Sequence, residues 1–338
     1  MNDEVLSLLI RDIGEQGLLV RLQHFCPQDI VGDDAAVLAS PELGQSLVVT
    51  TDVLVDGVHF SDRTTTPEDA GWRAAAANLS DLAAMGASPL GITVGLGITG
   101  NVAVSWVEQL YQGITHCLQQ YNTPIVGGDI CRSPVITLSI TAFGQAFPNQ
   151  IIRRSAAVMG DAIVVTGVHG ASRAGLELLL NPEVGKHLSV NDRTFLIHAH
   201  QRPKPRLDIL PLLWKTLDSH SLCLAGMDSS DGLADAVLQL CRASSVGAVI
   251  EKNRIPLPSS LSQLVSSEQA LDWALYGGED FELVLCLPTA PAEALVEQLG
   301  EGAAIIGNIT SGKQVCLRDS HSTNGDTLLT LNRGFQHF

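Results

Sequence analysis

Small apolar residues dominate the stretch "TPEDAGWRAAAANLSDLAAMGASP" (residues 66–89), and its two ends carry the marks of a helix. Thr66 is placed to cap it, Pro67 suits the first turn, Glu68 and Asp69 favour the amino end of the dipole, and Gly86 and Pro89 stop it. Before it, "SLVVTTDVLVDGVHF" (46–60) is rich in Val, Leu and Thr and predicts a strand, a loop at Thr51–Asp52, then more extended chain. Residues 4–20 predict a short amphipathic helix. "LGITVGLGI" predicts a strand, "VSWVEQLYQGITHCLQQY" a helix, "TPIVGG" a strand running into a turn, and "SPVITLSITAFG" a strand.

A second series of elements follows. "RRSAAVMGDAIVVTGVHGASRAGLELLL" reads as loop, strand, glycine loop and helix, and helices are predicted around 190–218 and 231–245. "GAVIEKNRIPL", "FELVLCLP" and "AAIIGNIT" predict strands, while "SSEQALDWALYGG" and "APAEALVEQLG" predict helices. Strands and helices are mixed throughout, so the fold class is α+β in the broad sense of mixed α/β. The segment "QAFPNQIIRRSA" marks a boundary between domains 1–149 and 150–338.

Composition narrows the function classes. The chain has 338 residues, 45% hydrophobic and 17% charged, ample for packed cores and not a disordered composition. The net charge of −16 argues against a nucleic-acid or anionic-membrane surface, which needs clustered Lys and Arg. No apolar run is long and uninterrupted enough for a membrane span, and the amino end carries acids where a signal peptide carries bases. The seven cysteines form no CxxC pair, which points to a reducing cytoplasm.

The acids themselves are patterned. "GDD" (32–34), "TTD" (50–52), "NLSD" (78–81), "GGD" (127–129), "DSSDG" (228–232) and "GGED" (277–280) each set an acid beside glycine or small residues. One such motif alone reads equally as a turn, since Asp and Gly are turn residues. Asp81 is different: it lies inside a helix, with Asn78 on the same face, as a metal donor or as a helix-surface aspartate. Six acidic motifs repel one another unless cations lie between them, and carboxylate and hydroxyl oxygens are hard ligands suited to Mg2+ or Mn2+. Other chemistries lack their signatures: there is no GxxxxGK(S/T), no GxSxG and no HExxH. "TGVHGASRAGLELLL" and "DSSDGLADAVLQL" open helices whose bare amides attract anions or are simply capped. His59 reads as a half-buried, hydrogen-bonded histidine, and His198 and His200 as a metal pair or, in preference, a solvated helix end.

Taken in order, "VGDDAAVL", "TTDVLVDGVHF", "NLSDLAAMGASP", "IVGGDICRSP", "RRSAAVMGD", "DSSDGL" and "YGGEDFELVL" resemble the thiamine-monophosphate kinase family, in the superfamily of aminoimidazole ribonucleotide synthetase. The resemblance runs from about residue 30 to the terminal "GFQHF", and "NLSDLAAMGA" and "GGEDFEL" are its most specific pieces. It implies a two-domain synthetase-like fold, with the amino-terminal sheet pairing across a homodimer. It implies ATP as co-substrate, several Mg2+ ions and thiamine monophosphate as acceptor, giving thiamine diphosphate.

By matched position the resemblance assigns Mg2+ to Asp34, Thr50, Thr51, Asp52, Asp81, Asp129, Asp228 and Asp231. It assigns ATP to Gly128, Asp129, Arg154 and Ser230, and thiamine monophosphate to His59, Glu279 and Phe335. The family often carries a tryptophan and a tyrosine in the terminal segment. This chain has Arg333 and Phe335 there, keeping an aromatic face without the hydroxyl.

The chemistry agrees. A phosphomonoester's second pKa is about 6, so the attacking phosphate oxygen is already deprotonated and no catalytic base is expected. The obstacle is repulsion between polyanions: unit charges 4 Å apart interact by about 1 kcal/mol in water and about 4 kcal/mol at an effective dielectric of 20. Many aspartates with few cations suit metal-assisted transfer. Two other readings stay open: formylglycinamidine ribonucleotide cyclo-ligase of the same superfamily, and a non-catalytic metal- or nucleotide-binding protein.

Overall fold

The computed structural model describes residues 8–27, 40–217, 224–319, 325–330 and 333–334. Asp34 and Phe335 lie outside the described residues, as does Asp33. The chain divides into two units, one of residues 1–82 and 88–145, the other of residues 83–87 and 146–338.

The first unit is built on a four-stranded sheet. Its strands are β1 (Ser46–Val55), β2 (Ser88–Ile98), β3 (Ile125–Arg132) and β4 (Thr137–Ala146), in the order β1-β4-β2-β3. Strand β2 runs parallel to β3 and antiparallel to β4. The helices are α1 (Ile10–Leu22), α2 (Pro67–Ala84) and α3 (Val104–Gln119). Thr66 caps α2 as its sequence predicts: its Oγ1 accepts from the Asp69 amide at 3.1 Å, and Asp69 accepts back from the Thr66 hydroxyl at 2.7 Å. Alanines and glycine let α2 come within backbone contact of α3. A Cβ on Gly71 would sit 2.0 Å from the Leu110 carbonyl, and one on Gly113 1.8 Å from that of Glu68.

Two local expectations fail, for one reason. No loop breaks β1 at Thr51–Asp52; the strand runs through both, because alternate residues find partners on opposite faces. Nor does the chain turn at Gly127–Gly128, which lie within β3. These glycines serve close strand packing: a Cβ on Gly128 would sit 2.2 Å from the Val94 carbonyl of β2.

The second unit is built on a seven-stranded sheet, β11-β10-β7-β9-β5-β8-β6. Its strands are β5 (Ala162–Val165), β6 (Ala225–Asp228), β7 (Gly247–Glu251), β8 (Leu283–Leu287), β9 (Ala304–Thr310), β10 (Val315–Arg318) and β11 (Thr327–Leu328). Helices α4 (Ala171–Leu180), α5 (Val190–Gln201), α6 (Leu210–Thr216), α7 (Leu233–Ser244), α8 (Leu261–Leu264), α9 (Ser267–Tyr276) and α10 (Thr289–Leu299) complete it. The helix expected over 190–218 is two helices, because Pro203 and Pro205 fall in the middle of the stretch. Strands β5, β6 and β8 are buried at every position, and the core beneath α7 and α9 gathers Val165, Met227, Leu240 and Val284. Buried apolar runs of this kind bring the polar loops at their ends to fixed places.

Candidate active site

In the first unit the acids stand on regular elements. Asp81, in the fourth turn of α2, accepts a hydrogen bond from the Thr50 hydroxyl of β1. One helical turn earlier, buried Asn78 accepts from the Asp52 amide at 3.2 Å and donates to the Ala74 carbonyl at 3.0 Å. Both residues therefore face β1, as their spacing implies. Thr50 and Asp52 are half-buried on this side of the strand.

Thr51 points to the opposite face, where its hydroxyl meets that of Thr141 at 2.8 Å. Asp129 belongs to that second face too. It pairs in register with Gly95, while its neighbours Gly128 and Ile130 pair with the buried residues Val94 and Leu96. Asp129 also stands at the far edge of the sheet from β1, three strand spacings away, or about 14 Å. Within one sheet it cannot share an ion with Asp52.

His59 follows β1 and is half-buried, as expected. Its Nδ1 accepts from the Val55 amide at 3.0 Å, so the neutral ring carries its proton on Nε2. The His59 carbonyl accepts from buried Arg73 of α2.

In the second unit Asp228, Ser230, Asp231 and Glu279 stand on two loops at strand ends, which are tied to each other and to a third. The "DSSDG" loop joins β6 to α7, the "GGED" loop joins α9 to β8, and "TGVHG" joins β5 to α4. Ser230 donates its hydroxyl to buried Asp228 at 3.0 Å, and its carbonyl accepts from the Glu279 amide at 2.7 Å. The Ser229 amide donates to the Glu282 carbonyl at 2.9 Å. Gly278 and Glu279 both hold positive φ, 67° and 60°. At Gly278 a Cβ would also press to 2.8 Å on the Ser230 carbonyl, so only glycine passes there.

The amino end of α4 is occupied by a carboxyl group, and it is the protein's own. Asp280 accepts from the Gly170 amide at 2.7 Å and from the Ser172 amide at 2.9 Å. Burial pushes its carboxyl up to about 7, against the pull of these donors. The glycine loop is therefore capped from the "GGED" loop and is not an open phosphate cradle. Behind it, Glu282 accepts from the Thr166 hydroxyl at 2.6 Å and from Arg206. Arg206 also donates to the Thr166 carbonyl at 2.9 Å and to Asp208 at 3.2 Å. Burial raises Glu282, while the carboxylates of Glu282 and Asp208 outweigh burial and raise Arg206.

Four residues of this half went unassigned in the sequence. Asp280 sits inside the quoted "GGED", where only its neighbour Glu279 received a role. Asp235, one turn after Asp231 in α7, lies in the fields of Arg154 and Asp228; burial raises its carboxyl. The α4 loop places His169 in the core, where burial lowers it to about 4. His200 corrects the expectation of a solvated helix end. It is 3% exposed, with Nδ1 3.2 Å from the Ser172 hydroxyl and 3.5 Å from the Glu279 carboxylate. His169 and His200 carry no local signal, because only the packing of distant loops buries them.

Arg154 is exposed, and its carbonyl accepts from Ser244 at the end of α7 at 2.9 Å. Arg333 lies 4.6 Å over the Tyr276 ring and pairs with Asp272 at 2.9 Å, which fastens the terminal segment to α9. Gly334 passes beside the Asp231 carbonyl, 3.6 Å from where its Cβ would stand.

The donors suit magnesium in kind. Thr50, Asp52 and Asp81 present only hard oxygens on one face of the first unit, and Asp228 and Asp231 do so on the second. Among the described residues, no three His, Cys, Asp or Glu side chains gather at one point as metal ligands.

The family models for AIR synthase related protein match this chain in both halves: the N-terminal domain over residues 32–146 and the C-terminal domain over 159–319. A thiamine-monophosphate kinase from Synechococcus elongatus is 55% identical over 339 residues, covering 100% of this chain and 99% of its own. The crystal structure of thiamine-monophosphate kinase from Stenotrophomonas maltophilia K279a superposes with a TM-score of 0.76 at 33% identity, covering 91% of this chain and 96% of that one. AaThiL complexed with AMPPCP and TMP superposes with a TM-score of 0.71 at 30% identity, covering 96% and 99%. No helix among the described residues is long and apolar enough to cross a membrane. The chain belongs to the AIR synthase related proteins and, among them, to the thiamine-monophosphate kinase family.

Proposed function

We propose that this chain transfers the γ-phosphoryl group of ATP to thiamine monophosphate, in line and without a covalent intermediate, giving thiamine diphosphate and ADP in the cytoplasm. The observation that carries this reading is the cluster of Thr50, Asp52 and Asp81, joined by the hydrogen bond from Thr50 to Asp81. These are hard oxygens at the positions the family resemblance assigns, in a chain 55% identical to a thiamine-monophosphate kinase along its whole length. The relative AaThiL holds AMPPCP and TMP together, the pair of ligands this reaction would bring here.

Bound Mg2+ supplies charge neutralisation between the two phosphates. Thr50, Asp52 and Asp81 would hold it on one face of the first unit's sheet, and Thr51 and Asp129 on the other. Asp228 and Asp231 would hold it in the second unit, with Asp34 assigned by resemblance alone. Gly128, Asp129, Arg154 and Ser230 bind ATP; His59, Glu279 and Phe335 bind thiamine monophosphate. The phosphate nucleophile needs no proton removed, so the residues bind, orient and neutralise.

A homodimer is part of this reading. Asp52 and Asp129 stand at opposite edges and on opposite faces of one sheet. A second copy of the chain is what would bring another Asp129 to Asp52.

The test is a product assay with Mg2+-ATP and thiamine monophosphate, and with formylglycinamidine ribonucleotide in a parallel reaction. Thiamine diphosphate matched one-for-one by ADP, without free phosphate, is expected. ADP and phosphate with the ribonucleotide alone would move the chain to the cyclo-ligase reading. ATP binding without turnover on either would leave the non-catalytic reading.

A further inference from the structure

We propose that His169 is a positioning residue for nucleotide binding, acting through Ser229 on the loop that carries Asp228 and Ser230. The inference rests on the kinase reading above and adds to it a residue outside every assigned motif. His169 and Ser229 are both completely buried. The ring's two nitrogens have different partners: Nδ1 lies 3.2 Å from the Gly167 carbonyl and Nε2 3.1 Å from the Ser229 hydroxyl. A carbonyl only accepts, so Nδ1 carries the proton and Nε2 is the bare acceptor. The Ser229 hydroxyl therefore donates inward, to His169.

That one bond fixes which serine faces which way. The two serines of "DSSDG" are adjacent, and either hydroxyl could cap the helix or reach Asp228. With Ser229 held inward, Ser230 is the one that bonds Asp228, at 3.0 Å. The backbone that carries the ring is anchored as well, since the His169 amide donates to the Pro256 carbonyl at 3.0 Å. On the other side, the Ser229 amide is held by the Glu282 carbonyl at 2.9 Å, and its own carbonyl accepts from Gly232 at 3.1 Å. Every polar group of Ser229 thus has a partner within the protein, its hydroxyl inward on His169, and the loop presents Asp228, Ser230 and Asp231 as one set.

The experiment uses the full chain with Ser229→Ala, His169→Phe and His169→Gln. It reads KM for ATP, KM for thiamine monophosphate, and the affinity for Mg2+-AMPPCP by calorimetry. Ser229→Ala and His169→Phe should each weaken AMPPCP and raise KM for ATP about tenfold, the worth of one buried hydrogen bond. KM for thiamine monophosphate should stay within about twofold, and the double variant should be no worse than either single one. Gln offers an acceptor near the place of Nε2, so His169→Gln should recover most of the affinity. Equal rises in both KM values, or unchanged AMPPCP affinity in Ser229→Ala, would overturn the proposal. Ser229→Ala decides the question should His169→Phe fail to fold. The calorimetric arm separates this failure from that of the kinase reading. A chain that does not phosphorylate thiamine monophosphate yet loses AMPPCP affinity in Ser229→Ala keeps the role of His169.

Discussion

The two units hold similar acids by different means. In the first unit Thr50, Asp52, Asp81 and Asp129 stand in the middle of strands and a helix, and pleat and helical turn aim them. In the second unit Asp228, Ser230, Asp231 and Glu279 stand on or beside loops with backbones at positive φ, at Gly170, Gly232, Gly278, Glu279 and Phe281. Loops of that kind have no periodic geometry to hold them. They are held by buried polar groups instead: His169 on Ser229, Asp280 on the α4 amides, Arg206 on Glu282. Precision comes from backbone periodicity in one unit and from cross-loop hydrogen bonding in the other. The first is robust to losing a polar partner and intolerant of backbone displacement; the second is the reverse.

The largest effect should come from the acids of the first unit. Asp52→Asn and Asp129→Asn should each lower kcat by roughly 10²–10³-fold with the fold intact, the usual cost of losing one electrostatic contact in such a site. If Asp129 serves the second copy, co-expressing the two variants should restore about a quarter of wild-type activity, because half the dimers are mixed and each carries one intact site. No recovery would confine each site to one chain.

The next effect is on stability. Gly113→Ala drives a Cβ to 1.8 Å from the Glu68 carbonyl, so α2 must leave α3. A loss of about 3 kcal/mol in urea unfolding is expected, with activity falling alongside, because Asp81 rides on α2. A loss below about 0.5 kcal/mol would show that backbone contact does not position this half.

The last test probes the loops of the second unit through pH. Asp280 rises from 3.8 to about 7 on folding, so the folded state binds its proton more tightly than the unfolded chain does. Its contribution to stability is therefore full below pH 3.8 and lost as pH rises through about 7. The thermal midpoint of the wild type, taken relative to Asp280→Asn, should fall from about pH 4 to about pH 7 and level off above that. A constant difference would mean that the α4 amides hold Asp280 charged throughout.

Much of this was legible locally. The α2 cap at Thr66, its end near Gly86 and the shared face of Asn78 and Asp81 follow from spacing and residue type. Motif order identified the family. The loop expected at Thr51–Asp52 and the turn at "GGD" failed because the same residues serve turns and close strand contact, and local sequence does not say which. His200, two residues after His198 and three before Pro203, reads as surface until α4 and the "GGED" loop close over it.

What the sequence determined by itself is the donor set: hard oxygens in a fixed order, in a chain without a GxxxxGK(S/T), GxSxG or HExxH motif. Tertiary structure decided which donors meet. Strand order sends Asp129 to the edge far from Asp52, and Asp280 fills the α4 amino end that the glycine loop leaves bare. Periodicity is written over a few residues and can be read there. Strand order, burial and the partner of a loop depend on segments as far apart as Gly170 and Asp280, 110 residues, joined by contacts that no single segment records.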